Sequence, residues 1–200
     1  MKKKHMIFLL VGIFTLGIII FFTFFNLNTA KNMKIGNNSS SQEIVDYILN
    51  INSYQTEIKV EIESNKNKNL YILKQIYKKD EKLVQEVLEP SNIAGVKIIK
   101  EGNKLTLENS KLSLNSFFEN YEYVSDNRLD LSCFIKQYKE NEKSNWKEED
   151  NQIKMITNQN QEEKCLWIDK TTGKPIKMEI KDTNKNTKVY IVYNEVNINT

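Results

Sequence analysis

One histidine and one arginine stand in a chain of 200 residues. The histidine is His5, inside a basic N-terminal tip, so no Ser-His or Cys-His nucleophile pair can form in the rest of the chain. The arginine is Arg128, and a single guanidinium makes no cluster for bidentate phosphate recognition. Glycine numbers six and proline two, and the glycines form no G-x-G-x-x-G, P-loop or G-x-S-x-G pattern. Two cysteines, Cys133 and Cys165, without a histidine beside them make no zinc site. An excess of one charge is missing as well. Lysine and arginine total 29 against 26 acidic residues, and Lys2, Lys3 and Lys4 account for the difference of three. The remaining body is formally neutral and carries no electrostatic footprint for nucleic acid. No catalytic residue, cofactor site or metal site is expected, and the chain reads as a protein that is not an enzyme.

The sequence does contain an unbroken apolar run from Met6 to Phe25, directly after the lysines. About 20 apolar residues at about 1.5 Å each cross the roughly 30 Å hydrocarbon core of a bilayer. Lysines before the run favour a cytosolic N-terminus. A cleaved signal peptide has a shorter apolar region and a small-x-small site, and Asn26-Leu27-Asn28-Thr29-Ala30 matches that site poorly. The expected organisation is a cytosolic tip at 1–5, a single-pass signal anchor at 6–25 and a flexible tether at 26–41. An exported domain follows at 42–200. Cleavage and secretion is the alternative. The tether is richest in Asn and Ser between Lys31 and Ser41.

Within the exported domain, Ser40 to Asn50 reads as a short helix, with Ser40 and Glu43 at capping-box spacing and Ile44, Tyr47 and Ile48 on one face. The period then changes to two. Tyr54, Thr56, Ile58, Val60 and Ile62 alternate with polar or charged residues, the pattern of a strand with one wet face. Further strands are expected at Leu70–Lys78, Leu83–Leu88, Val96–Ile99, Leu105–Leu107, Leu129–Tyr138, Ile153–Thr157, Lys164–Asp169, Ile176–Ile180 and Val189–Val196. Gly102 marks a hairpin turn, and polar stretches at 65–69, 169–173 and 182–186 mark others. Leu114 to Tyr121 reads as a short helix. Many short strands with tight turns predict a mainly β fold. Its form is a strongly curved antiparallel sheet, or half-open barrel, with a few short helices against its concave face.

Aromatic residues are the candidates for an interface or a cavity: Tyr71, Tyr77, Phe117, Phe118, Tyr121, Trp146 and Trp167. Trp146 is expected in an exposed polar loop. Cys133 and Cys165 fall in expected strands and either form a disulfide or remain buried thiols. The carboxylate runs Glu148-Glu149-Asp150 and Glu162-Glu163 are expected in polar loops as solvated faces.

Three stretches resemble the Lol-type lipoprotein carrier superfamily. The first runs from Glu89-Pro90 through Ile93-Ala94-Gly95 and Lys97-Ile98-Ile99 to Gly102-Asn103-Lys104-Leu105. The second is Leu166-Trp167-Ile168-Asp169-Lys170-Thr171-Thr172-Gly173-Lys174-Pro175, and the third is the terminal Tyr193-Asn194-Glu195-Val196-Asn197-Ile198-Asn199. Within the superfamily the chain is most similar to the clostridial germination lipoproteins of the GerS group. The resemblance implies a LolA-like half-open barrel and a non-enzymatic protein exported during sporulation. It also implies a cortex-directed N-acetylmuramoyl-L-alanine amidase as partner. The chain departs from the group in having no cysteine near the apolar run, so a transmembrane anchor is expected to replace the lipid. The expected location is the cell membrane, with the C-terminal domain outside the cytosol, in the space between mother-cell and forespore membranes. The alternative is a carrier or sensor that holds a lipid in the concave face. An exposed edge strand also leaves open pairing with a second copy as a homodimer.

Overall fold

The computed structural model describes residues 39–64, 67–119, 127–159 and 161–199. The expected anchor at 6–25, the tether up to residue 38, and Tyr121 lie outside the described residues. No helix among the described residues is long and apolar enough to cross a membrane.

Helix α1 spans Ser41–Leu49 and starts as its sequence dictates. The Glu43 amide donates to Ser40 Oγ, and the Ser40 amide donates to Glu43 Oε2 at 2.7 Å. Both ends of the capping box are thus closed. Ile44, Val45 and Ile48 point into the core.

Eleven strands follow. β1 (Ser53–Glu63), β2 (Lys68–Lys78), β3 (Lys82–Glu89), β4 (Lys97–Glu101), β5 (Lys104–Asn109) and β6 (Leu114–Glu119) form a meander. Helix α2 (Leu131–Glu140) interrupts them. β7 (Asn145–Glu149), β8 (Gln152–Gln159), β9 (Glu162–Asp169), β10 (Pro175–Lys181) and β11 (Thr187–Asn199) form a second meander. All lie in one antiparallel sheet of order β6-β5-β4-β3-β2-β1-β11-β10-β9-β8-β7. The first and last strands pair at its centre, and β6 and β7 are its edges, so the sheet is not closed. The alternation in β1 behaves as expected: Tyr54, Thr56, Ile58 and Val60 are buried.

Helix α2 shows how far the sheet curls. At its start, Asp130 is bonded to Gln85 of β3 and Lys100 of β4. At its end, Asn141 Nδ2 donates to Thr157 Oγ1 at 3.3 Å and to the Asn158 carbonyl at 2.7 Å, both in β8. Seven inter-strand steps separate β4 from β8, about 34 Å along the sheet at about 4.8 Å per step. The helix between them covers only about 16 Å. One helix reaches both strands because the sheet wraps around it. The core lies between this inner face and the two helices, with Ile44, Ile48, Leu131, Phe134, Met155 and Leu166 at or below 1% exposure.

Four expectations are corrected. Leu114–Glu119 is an edge strand, not a helix: Leu114, Ser116 and Phe118 face inward and Asn115, Phe117 and Glu119 outward. Six residues carrying two adjacent phenylalanines fit either period, and pairing with β5 decides the matter. Leu129–Tyr138 is not a strand. Its alternation of Leu129, Leu131, Cys133 and Ile135 competes with Leu131, Phe134, Ile135 and Tyr138 at helical spacing, and the latter four are the buried residues. Trp146 is not in a loop but in edge strand β7, half-buried against the core. Glu148 and Glu149 share that strand, and Glu162 and Glu163 begin β9, so neither carboxylate run is a loop.

Candidate functional site

The inner face carries a polar cluster in an otherwise apolar setting. Gln75, Gln85, Lys100 and Lys164 occupy inward positions of β2, β3, β4 and β9. Asp130, the residue before α2, is 3% exposed. It makes no side-chain cap to its own helix. Its carboxylate instead accepts from Lys100 Nζ at 2.8 Å and from Gln85 Nε2 at 2.7 Å. Gln75 Nε2 donates to the Leu129 carbonyl at 3.1 Å. The start of α2 is therefore tied to three strands by charge and amide groups rather than by apolar packing alone. A buried ion pair of this kind fixes geometry more than it adds stability.

Two tyrosines border the cluster. The hydroxyls of Tyr54 and Tyr193 are buried and make no hydrogen bond. Burial, followed by the negative charge of Asp130, raises both above the ordinary tyrosine range. Cys133, on the first turn of α2, borders it too, and burial pushes its thiol up.

The cluster opens to solvent through a cleft of about 660 Å³. Its walls are the β2–β3 turn, the β4–β5 turn and α2, with Asp130, Ser132, Cys133 and Gln137 along the helix side. No group of three or more His, Cys, Asp or Glu residues able to hold a metal occurs among the described residues.

The aromatic candidates are not brought together. Tyr77 stacks on Tyr54, ring centroids 5.1 Å apart, and Tyr71 packs on the same inner face of β2. Phe118 faces inward from β6, while Phe117 faces outward and is 54% exposed. Trp146 fills the inner face at the opposite edge. Trp167 lies on the outer face, 6% exposed, with Lys177 Nζ 4.1 Å and Lys154 Nζ 4.7 Å from its ring centroid. Its cover is the pair of lysines, each such contact contributing about 0.5–2 kcal/mol. Cys165 shares that outer face, with its thiol pushed up to about 11 by burial and by Glu163. Cys133 belongs to the inner side, and both thiols are free.

The outer face also carries a row that sequence reasoning did not assemble. Ile76, Val84, Ile99, Thr106 and Phe117 are direct cross-strand neighbours on β2 to β6. The polar cluster was equally unforeseen, yet it had a signal. Gln75 and Gln85 each interrupt an apolar alternation at an inward position, and Lys100 and Lys164 flank one.

The family model described as sporulation protein YdcC-like matches residues 3–200. The chain belongs to this YdcC-like sporulation family. No curated protein matches it. Among solved structures, an uncharacterized conserved protein from Thermus thermophilus is similar with a TM-score of 0.53 at 11% identity, over 81% of this chain and 89% of that one. That likeness concerns the fold alone. A chain of the Clostridioides difficile complex between the CwlD amidase and the GerS lipoprotein is 26% identical, with a TM-score of 0.49, over 80% of this chain and 96% of that one. A LolA superfamily protein from Nitrosomonas europaea is 12% identical, with a TM-score of 0.38, over 81% and 94%.

Proposed function

We propose that this YdcC-like protein is a membrane-anchored, non-enzymatic component of spore formation or germination. In this reading it is the binding partner or activator of a cortex-directed N-acetylmuramoyl-L-alanine amidase. The observation that carries the reading is the match to a sporulation family over residues 3–200. The partner class comes from the sequence resemblance to the GerS group; the Clostridioides difficile GerS lipoprotein has itself been solved in complex with the CwlD amidase. The non-enzymatic role is supported by the position of the only histidine, His5, in the N-terminal tip. The apolar run from Met6 to Phe25 would hold the sheet domain at the outer surface of the membrane.

Against the lipid-carrier alternative, α1 and α2 fill the inner face with Ile44, Ile48, Leu131 and Phe134. The cleft beside them carries Lys78, Asp80, Glu81, Lys82, Lys136 and Glu140 in its lining, charges that disfavour an acyl chain.

The test is deletion of the gene in its native spore-former, followed by muropeptide analysis of the spore cortex. Loss of muramic lactam in otherwise intact spores is expected, and a normal cortex would sink the amidase role. Retention in the membrane pellet after alkaline extraction checks the anchor; release into the supernatant would mean cleavage.

A further inference from the structure

The edge of a sheet is a template for another strand, and proteins guard their edges with charges, prolines and bulges. The two edges of this sheet differ. β7 is guarded: Lys147 is paired with Glu149 at 2.5 Å, Glu148 with Lys170 at 2.8 Å, and Trp146 packs against the core. β6 carries no lysine, arginine or proline. Its outward Phe117 is 54% exposed.

The outer face shows what would continue the sheet beyond β6. The apolar row that starts at Ile76 ends at Phe117. On one side of it Lys74, Glu86, Lys97 and Glu108 alternate in sign from strand to strand and end at the neutral Asn115. On the other side Glu101, Lys104 and Glu119 alternate in the same way, and that row stops on a negative charge. Glu119 has no ion pair among the described residues. Lys104, directly opposite, lies over the Phe117 ring instead, 5.9 Å from its centroid. Opposite charges facing each other across strands attract, and like charges repel. A further strand that extends all three rows presents a cation to Glu119, an apolar residue to Phe117 and an uncharged polar residue to Asn115. The period of two places those three on one face of one segment.

We propose that β6 accepts an extended segment of a partner protein as an added antiparallel strand. The segment reads, from Glu119 toward Asn115, a basic residue, two apolar residues opposite Phe118 and Phe117, and then polar residues. Main-chain hydrogen bonds supply the affinity and the side-chain rows the specificity. A second copy of this chain fits poorly. Another β6 brings no cation, and β7 brings Lys147 between Asn145 and Glu149, with no apolar residue for Phe117. The surface is argued from the sheet alone, so it stands or falls separately from the amidase reading.

The test uses the full-length chain in non-ionic detergent at pH 7. The probes are a capped, fluorophore-labelled peptide Lys-Val-Ile-Thr-Asn and its charge-reversed form Glu-Val-Ile-Thr-Asn, followed by anisotropy. Saturable binding of the basic peptide is expected, at least tenfold tighter than of the acidic one. Glu119→Gln should erase most of that preference, and Phe117→Ser should weaken the basic peptide several-fold. Both side chains are exposed, so neither variant disturbs the core. Lys147→Ala, on the other edge, should change nothing. Amide exchange in the peptide complex should slow in β6 and stay unchanged in β7. Absence of saturable binding, equal affinity for the two peptides, or an unchanged preference in Glu119→Gln overturns the proposal. So does a complex that slows exchange in β7 or in neither edge. A cross-linked dimer that the peptide disperses and Phe117→Ser abolishes would put a second copy on this edge and overturn the partner assignment.

Discussion

At the scale of single residues, Asp130 matters most, because it accepts from a buried lysine and a buried glutamine at once. Removing its charge while keeping its shape takes from the buried Lys100 the carboxylate it is paired with. Asp130→Asn is therefore expected to destabilise the domain by about 3–5 kcal/mol in urea unfolding. Adding Lys100→Met should return most of the loss, and an unchanged loss in the double variant would show that the pair is not the cause. The two tyrosines make the opposite case. Their hydroxyls are buried without partners, so the double variant Tyr54→Phe/Tyr193→Phe should be neutral or stabilising at pH 7. Both groups are raised above their unfolded value of about 10, so the folded state holds their protons longer than the unfolded chain does. Their contribution is complete below about pH 10 and is lost as pH rises beyond it, by up to about 1.4 kcal/mol per pH unit for each tyrosine. Unfolding midpoints measured from pH 8 to pH 11.5 should fall more steeply in the parent than in the double variant.

At the scale of elements, β1 and α2 show where a sequence pattern decides structure and where it does not. Eleven residues of strict alternation in β1 leave no helical alternative, and its buried positions are the expected ones. In α2, Leu131, Cys133 and Ile135 fit a strand while Leu131, Phe134, Ile135 and Tyr138 fit a helix. Local pattern leaves the two tied; packing under the curled sheet breaks the tie. The same ambiguity hides β6 and β7, whose five or six residues are too short for any period to declare itself. The helical reading of α2 also moves Cys133 to the inner side, whereas Cys165 faces outward from β9. Both thiols are thus expected to take up iodoacetamide in denaturant without prior reduction. Alkylation only after reduction, read by intact mass, would contradict the arrangement.

At the scale of the whole molecule, the chain closes its sheet in sequence but not in space. β1 pairs with β11 at the centre, and β6 and β7 are left as open edges far from that seam. Opening free energy should follow this order. Amide exchange is expected to be slowest in Val60, Ile62, Val189 and Ile191 across the central pair, and fastest in β6 and β7. Equal protection at edge and centre would mean that a partner covers the edges. The curvature lets α2 tie both meanders together, at Asp130 on one side and Asn141 on the other.

The sequence by itself determined the mainly antiparallel architecture, the capped start of α1 and the hairpin at Gly102. Each of these rests on neighbours in the chain, whose periodicity and turn chemistry act locally. Tertiary structure decided the rest. It chose helix for α2 and strand for β6, scattered the aromatic candidates over two faces, and collected Gln75, Gln85, Lys100 and Asp130 from four separate segments into one cluster. A polar residue on an apolar strand announces only that it points inward. Which charge or amide it meets there depends on strand order and curvature, and those are properties of the folded sheet.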